Sequence, residues 1–173
     1  MKNNSQINII LKKLNDSDKK EIARLLNNRY IWNNLCNNIP FPYSEYDAAS
    51  FIENVRENPR QIVFGIEYKE GFCGLISLEL QKDIYQKSAE LGYWIGEEFW
   101  GKGIASAAIE KMIPYAFENH DIIRIFARVF EYNPASMRVL EKNGFKKECV
   151  ARKAIYKNGK LWDEHRFYLL KTN

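Results

Sequence analysis

The stretch from Glu90 to Lys111, ELGYWIGEEFWGKGIASAAIEK, constrains the fold of this chain more than any other. Glu90 to Ile95 is rich in aromatic and apolar residues and predicts a strand. Glycines at 96, 101 and 103 predict a short loop. From Ile104 onward, apolar residues at 105, 108, 109, 112 and 113 recur at helical spacing. A strand that passes through a glycine loop into a helix aims backbone N–H groups, and the positive end of a helix dipole, at one spot. That is an anion site suited to phosphates. Gly101 and Gly103 lack side chains that would hold a ligand away from those amides. Glycines between a strand and a helix also simply make a turn, and that reading stands beside the first.

Two common phosphate loops do not fit. A Walker-type loop needs Gly-Lys followed by a hydroxyl residue, and here Gly101-Lys102-Gly103 is followed by Ile104. A dinucleotide loop needs a third glycine or alanine three residues after the second, where this chain has Ser106.

The remaining elements follow in chain order. Ile7 to Leu14 reads as a first strand, and Asp16-Ser17-Asp18 offers an N-cap for a helix running to about Asn27. Tyr30 to Tyr46 carries aromatics, two prolines and a cluster of asparagines, and reads as a loop between helices. Its aromatics either line an acceptor pocket or pack on the core. Ser44 caps a helix that ends before Pro59. Gln61 to Tyr68 and Phe72 to Gln81 read as a hairpin around Lys69-Glu70-Gly71. The helix after the glycine loop extends to about Asn119, with Pro114 as a candidate kink. Ile122 to Phe130 reads as a buried strand, and Asn133-Pro134 starts a helix that Asn143-Gly144 closes. Phe145 to Tyr156 and Trp162 to Leu170 flank an Asn158-Gly159 turn. The pattern predicts an α/β protein with a central mixed, mostly antiparallel sheet flanked by helices, in a single domain over residues 1–173.

The run Phe99-Trp100-Gly101-Lys102-Gly103-Ile104-Ala105 resembles the cofactor loop of the GNAT acyltransferase superfamily, in the form found in the branch that acetylates ribosomal-protein N-termini. A second block, Asn133-Pro134-Ala135-Ser136 followed by Leu140-Glu141-Lys142-Asn143-Gly144-Phe145, is similar to the helix that follows in that superfamily. The segment Ile39-Pro40-Phe41-Pro42-Tyr43 also looks like this branch, so the likeness covers nearly the whole chain.

This resemblance implies an acetyl-CoA-dependent N-acetyltransferase whose acceptor is a primary amine, either a protein N-terminus or a small molecule. The chemistry is direct attack of a neutral amine on a thioester. An α-amino group near pKa 8 yields its proton more readily than an alkyl ammonium near 10. A base or water relay then removes a proton, N–H groups polarise the thioester oxygen, and the leaving thiolate is helped by an acid. The amides of Trp100, Gly101, Lys102, Gly103, Ile104 and Ala105 are the expected pyrophosphate seat. Lys102 either adds charge there or is merely solvated. Glu90 is the candidate base or water-holder, with a surface glutamate at a strand start as the alternative. Asn133 contacts the cofactor arm or acceptor, or only caps its helix. Where much of the superfamily carries a tyrosine acid, this chain has Leu140. Ser136, at the position where the ribosomal-protein branch offers a serine, either hydrogen-bonds the sulfur or a water, or supports the helix start. Tyr132 is a candidate substitute. The competing reading is an acyl-CoA-binding sensor or subunit of the same fold without turnover.

Composition adds boundaries. The chain has 173 residues, a net charge of +4 and three cysteines without metal or redox spacing. They read as reduced thiols of a cytoplasmic protein. The isolated His120 and His165 suggest no metal and no triad. Basic residues are spread out, which argues against nucleic acid. No apolar run approaches the roughly 20 residues that span a bilayer, and the polar start, Met1 to Gln6, shows no signal peptide. A homodimer through the edge of the C-terminal hairpin is the expected assembly, if any.

Overall fold

In the computed structural model, which describes residues 7–172, the chain forms one seven-stranded sheet covered on both faces. The strands are β1 (Ile9–Lys13), β2 (Gln61–Tyr68), β3 (Gly71–Leu80), β4 (Ser88–Ile95), β5 (Arg124–Phe130), β6 (Lys146–Lys157) and β7 (Lys160–Leu170). Their spatial order is β1-β2-β3-β4-β5-β7-β6. All neighbours are antiparallel except β4 and β5. The helices are α1 (Lys19–Leu26), α2 (Arg29–Trp32), α3 (Glu45–Glu57), α4 (Ile104–Asn119) and α5 (Pro134–Lys142). The expected mixed, mostly antiparallel sheet flanked by helices is therefore present.

Successive strand residues point to opposite faces, and the sequence exploits this on β3. Ile76 and Leu78 join a core with Ile104, Ala108, Ile109, Met112 and Ala116 of α4 and Leu140 of α5. Leu75 faces the other way, into a second core with Ile22, Leu25 and Leu26 of α1 and Ala48 and Ile52 of α3. Burying one such aliphatic side chain contributes about 1.5–3 kcal/mol, so these two apolar layers fix which helix lies on which face.

Local signals set most element ends. Ser44 accepts from the Asp47 N–H at 3.1 Å while the Asp47 carboxylate accepts from the Ser44 N–H at 2.7 Å. This reciprocal cap stabilises the start of α3 by about 1 kcal/mol. At the end of α5, Gly144 takes φ +83°. The Phe145 N–H then reaches the Leu140 carbonyl at 3.1 Å and the Gly144 N–H reaches Glu141 at 3.0 Å. This closes the helix where Asn143-Gly144 predicts it. α4 continues through Pro114 to Asn119.

Several expectations shift, among them the first residues of β1, β4 and β7, each by two positions. Asp18 of the expected Asp16-Ser17-Asp18 stands at the N-cap of α1, but its side chain turns back: Asn15 and Asp18 cap each other around a 3-10 turn at Asp16–Asp18. The segment read as a loop from Tyr30 contains the one-turn helix α2, because the Asn28 side chain accepts from the N–H groups of Tyr30 and Ile31. β5 begins at Arg124, two residues later than expected, since the Ile123 and Arg124 N–H groups both turn to the Lys87 carbonyl. Glu97–Phe99 adds a 3-10 turn inside the glycine loop. The polar start Met1 to Gln6 lies outside the described residues. Among the described residues, no helix is long and apolar enough to cross a membrane.

Candidate active site

The one parallel pair of strands creates the site. β4 and β5 are paired only at Ser88–Arg124, Ala89–Ile125 and Glu90–Phe126. β4 runs on to Ile95 and β5 to Phe130 without further pairing. Two strands that diverge in mid-sheet leave backbone N–H and C=O groups facing a gap, and such groups need a partner. The gap is bounded by β4, by the start of α5 after β5, and by the glycine loop after β4.

The glycine loop has the geometry of an anion seat. Gly101 and Gly103 have φ of +73° and +75°, and Gly103 is the N-cap of α4. The first helical bond is from the Ala107 N–H to the Gly103 carbonyl at 3.0 Å. The N–H groups of residues 101–106 make no hydrogen bond among the described residues. Six free donors at the positive end of a 16-residue helix are the geometry that binds phosphates. A Cβ added to Gly101 would meet nothing within 4 Å, so the space beside these donors is open. Trp100 is fixed by its indole N–H, which donates to the Ile95 carbonyl at 2.7 Å, and remains 47% exposed. Lys102 donates to the Glu98 carbonyl at 2.8 Å and lies 5.3 Å from the Phe99 ring centre, so its charge is held at the loop. Ile104 is buried in the core while Ala105 is half-buried beside it.

Glu90 sits at the last paired position before the gap, and both of its oxygens accept from Arg128 of β5 at 2.7 Å. The forked pair is a charge-assisted contact with fixed geometry. The Glu90 carboxylate raises the Arg128 pKa further, which keeps the guanidinium charged. On the opposite face of β4, the Tyr93 hydroxyl meets the Ser136 hydroxyl at 2.7 Å and the Ser136 carbonyl at 3.3 Å. Burial pushes the Tyr93 pKa up to about 12. Asn133 caps α5, accepting from the Ser136 N–H at 3.1 Å. Ser136 and Asn133 thus stand together at the gap, and Glu90 stands on its other side.

Tyr132 points elsewhere. Its hydroxyl donates to the Asn33 carbonyl at 2.7 Å, and burial raises its pKa to about 12. It belongs to a clamp between the α2 segment and the β6–β7 hairpin. Lys157, only 2% exposed, donates to the Leu35 carbonyl at 2.9 Å and lies 3.6 Å from the Trp32 ring centre. Asn158 donates to the Asn33 side chain at 3.0 Å, and Asn37 donates to the Tyr156 carbonyl at 3.1 Å. Trp162 stacks edge-on to Tyr132 at 4.8 Å. On the loop side, Arg24 pairs with both oxygens of Glu98, and Asn28 donates to Glu97. These ties make the α1–α2 segment a wall joined to both the glycine loop and the hairpin.

Reasoning from sequence missed Arg128 and Tyr93. Arg128 shares a face of β5 with Arg124 and Phe126, the face on which Glu90 lies. Tyr93 alternates with Leu91 and Ile95 in an apolar row. A polar group on such a row was the available signal.

A family model described as "Acetyltransferase (GNAT) domain" matches residues 8–146. YdaF of Bacillus subtilis (strain 168), whose given name proposes a ribosomal N-acetyltransferase, is 42% identical over 107 residues, 62% of this chain and 58% of that protein. The spermidine N-acetyltransferase of Vibrio cholerae, solved with CoA and spermine, superposes with a TM-score of 0.82 at 28% identity, covering 96% of each chain. The microcin C7 self-immunity acetyltransferase MccE, solved with acetyl-CoA and AMP, gives 0.82 at 28% identity over 94% of this chain and 92% of that one. The chain spans between 43% and 66% of the length of the first four curated relatives it matches. A divided sheet with six amides unpaired among the described residues at its mouth, and a family match over residues 8–146, lead to one conclusion: this chain belongs to the GNAT acetyltransferase family.

Proposed function

We propose that this protein is an N-acetyltransferase that moves the acetyl group of acetyl-CoA to a primary amine by direct attack on the thioester. The observation that carries the reading is the row of free N–H groups at residues 101–106, beside the gap between β4 and β5. Acetyl-CoA brings a pyrophosphate that suits these amides and a thioester arm that suits a narrow gap lined with backbone polar groups. The complexes of the two solved relatives with acetyl-CoA or CoA support the same co-substrate. The acceptor is a protein α-amine or a small-molecule amine such as a polyamine, in line with the ribosomal and spermidine acetyltransferases among the relatives, and it enters past the clamped α2 wall.

In this reading Trp100 to Ala105 hold the pyrophosphate, with Lys102 adding charge, and Asn133 sets the start of α5 against the arm. Glu90, whose oxygens are already committed to Arg128, orients a water that takes the amine proton rather than taking it directly. Ser136 faces the leaving sulfur. Tyr132 shapes the acceptor wall. The enzyme works in the cytoplasm, and the outer edge of β6, which pairs only with β7, is the edge through which a second copy would add.

Calorimetric titration with acetyl-CoA, with CoA, NAD and ATP as comparators, tests the donor. Thiol release in the same samples, with N-terminal peptides and polyamines, tests the acceptor. Selective binding of acetyl-CoA with amine-dependent release is expected. Binding without release on any amine favours the acyl-CoA sensor, and no binding overturns the reading.

A further inference from the structure

We propose that Tyr93 is a positioning residue that turns the Ser136 hydroxyl proton toward the leaving sulfur. The inference rests on the transferase reading above and deepens it. The two hydroxyls are 2.7 Å apart, and the contact crosses from β4 to α5 over 43 positions of sequence. Ser136 has no other side-chain hydroxyl partner among the described residues.

The direction of this hydrogen bond follows from chemistry. A phenol is a stronger acid and a weaker acceptor than an alkyl hydroxyl, so in a close pair the phenol donates. The alternative donor arrangement would send the tyrosine proton to the Ser136 carbonyl, which is 3.3 Å away, long for an O–H bond. Burial keeps Tyr93 protonated through the neutral range, so it remains a donor. Tyr93 therefore occupies a lone pair of the serine oxygen, and the serine's own proton is left to point away from Tyr93, into the gap. Meanwhile Asn133 holds the Ser136 N–H, which fixes the first turn of α5 and the place of the hydroxyl.

During transfer the C–N bond forms and the C–S bond breaks, with its electron pair moving to sulfur. The amine proton reaches that sulfur through solvent. Ser136 lends a hydrogen bond to the developing thiolate and keeps its proton, and Tyr93 touches neither substrate. A donor already aligned with the developing charge needs no reorganisation when the bond breaks.

A double-mutant cycle with Tyr93→Phe and Ser136→Ala tests this. The phenylalanine keeps the buried ring, so thermal unfolding within a few degrees of wild type is expected. With the best amine found, Ser136→Ala lowers kcat by about 100-fold. Tyr93→Phe lowers kcat about 5–10-fold, and both variants leave the acetyl-CoA dissociation constant within about twofold, as expected for groups felt only in the transition state. The decisive comparison is the double variant. If Tyr93 acts through Ser136, its kcat equals that of Ser136→Ala alone. Losses that multiply, or a Tyr93→Phe enzyme with wild-type kcat, overturn the proposal while leaving the transferase reading intact. A loss in Tyr93→Phe that appears as weaker acetyl-CoA binding also overturns it. A wild-type protein that binds acetyl-CoA yet releases no thiol overturns both.

Discussion

Gly101 and Gly159 separate what a glycine does for the backbone from what it does for a ligand. Their φ values are +73° and +75°, and a Cβ at either would meet no atom within 4 Å. An alanine at each position therefore carries the same cost, about 1–2 kcal/mol from the left-handed backbone alone. At Gly101 the new methyl also stands beside the free amides, whereas Gly159 lies in the tip between β6 and β7. Gly101→Ala and Gly159→Ala should lose similar stability in urea titrations, but only Gly101→Ala should weaken acetyl-CoA binding, by about tenfold. Equal affinities in the two variants would remove Gly101 from the seat. The glycines were legible in the sequence because their chemistry is local. Arg128 and Tyr93 were not, since their partners Glu90 and Ser136 lie 38 and 43 positions away and meet only when the sheet is assembled.

At the scale of elements, the hairpin of β6 and β7 is joined to the α2 segment by a buried lysine with no carboxylate within ion-pair reach among the described residues. Burial holds the Lys157 pKa below its ordinary value of 10.5, with the neighbouring Cys36 acting in the opposite direction. The unfolded chain therefore binds this proton more tightly than the folded one. Its contribution to stability is complete above the ordinary lysine value and is lost as pH falls toward the folded-state value. Lys157→Met keeps the aliphatic stem and removes the titration. The stability of the wild type relative to Lys157→Met should rise between pH 7 and pH 10, measured by urea unfolding at each pH. A flat difference would show that the ammonium is not desolvated. This joint also marks where sequence reasoning stopped. The Asn158-Gly159 turn and the caps of α3 and α5 are written in neighbouring residues. The one-turn helix α2 is capped locally by Asn28, but the placing of the segment that follows it is not local: it rests on Lys157 to Leu35 and Tyr132 to Asn33, 122 and 99 positions apart.

Across the whole molecule, stability is unevenly spread. β3 and β4 are paired on both sides over part of their length and carry Ile76, Leu78, Ala89 and Leu91 into the core. β6 is paired on one side only, and most of its residues are exposed. Amide hydrogen exchange should therefore be slowest in β3 and in β4 up to Glu90, and at least about a hundredfold faster through β6. Uniform protection across the sheet would contradict this ordering, unless a second copy covers the β6 edge. In that case protection in β6 should fall on dilution.

The two walls of the cleft differ in how they could be transplanted. The proposed anion seat is a continuous run from Glu90 into α4, so its donors travel together in any graft. The opposite wall is stitched from residues 28–43, from Tyr132, and from the turn around Lys157 and Asn158, none of which is sufficient alone. A chimera that exchanges only the α2 segment for one whose backbone takes a different path would move the Leu35 and Asn33 carbonyls away from the Lys157 ammonium and the Tyr132 hydroxyl. One that moves the segment and the hairpin as a matched pair would keep both. Changes of acceptor in such a scaffold should thus arrive as correlated exchanges between two distant stretches of chain, while the donor stretch stays as it is.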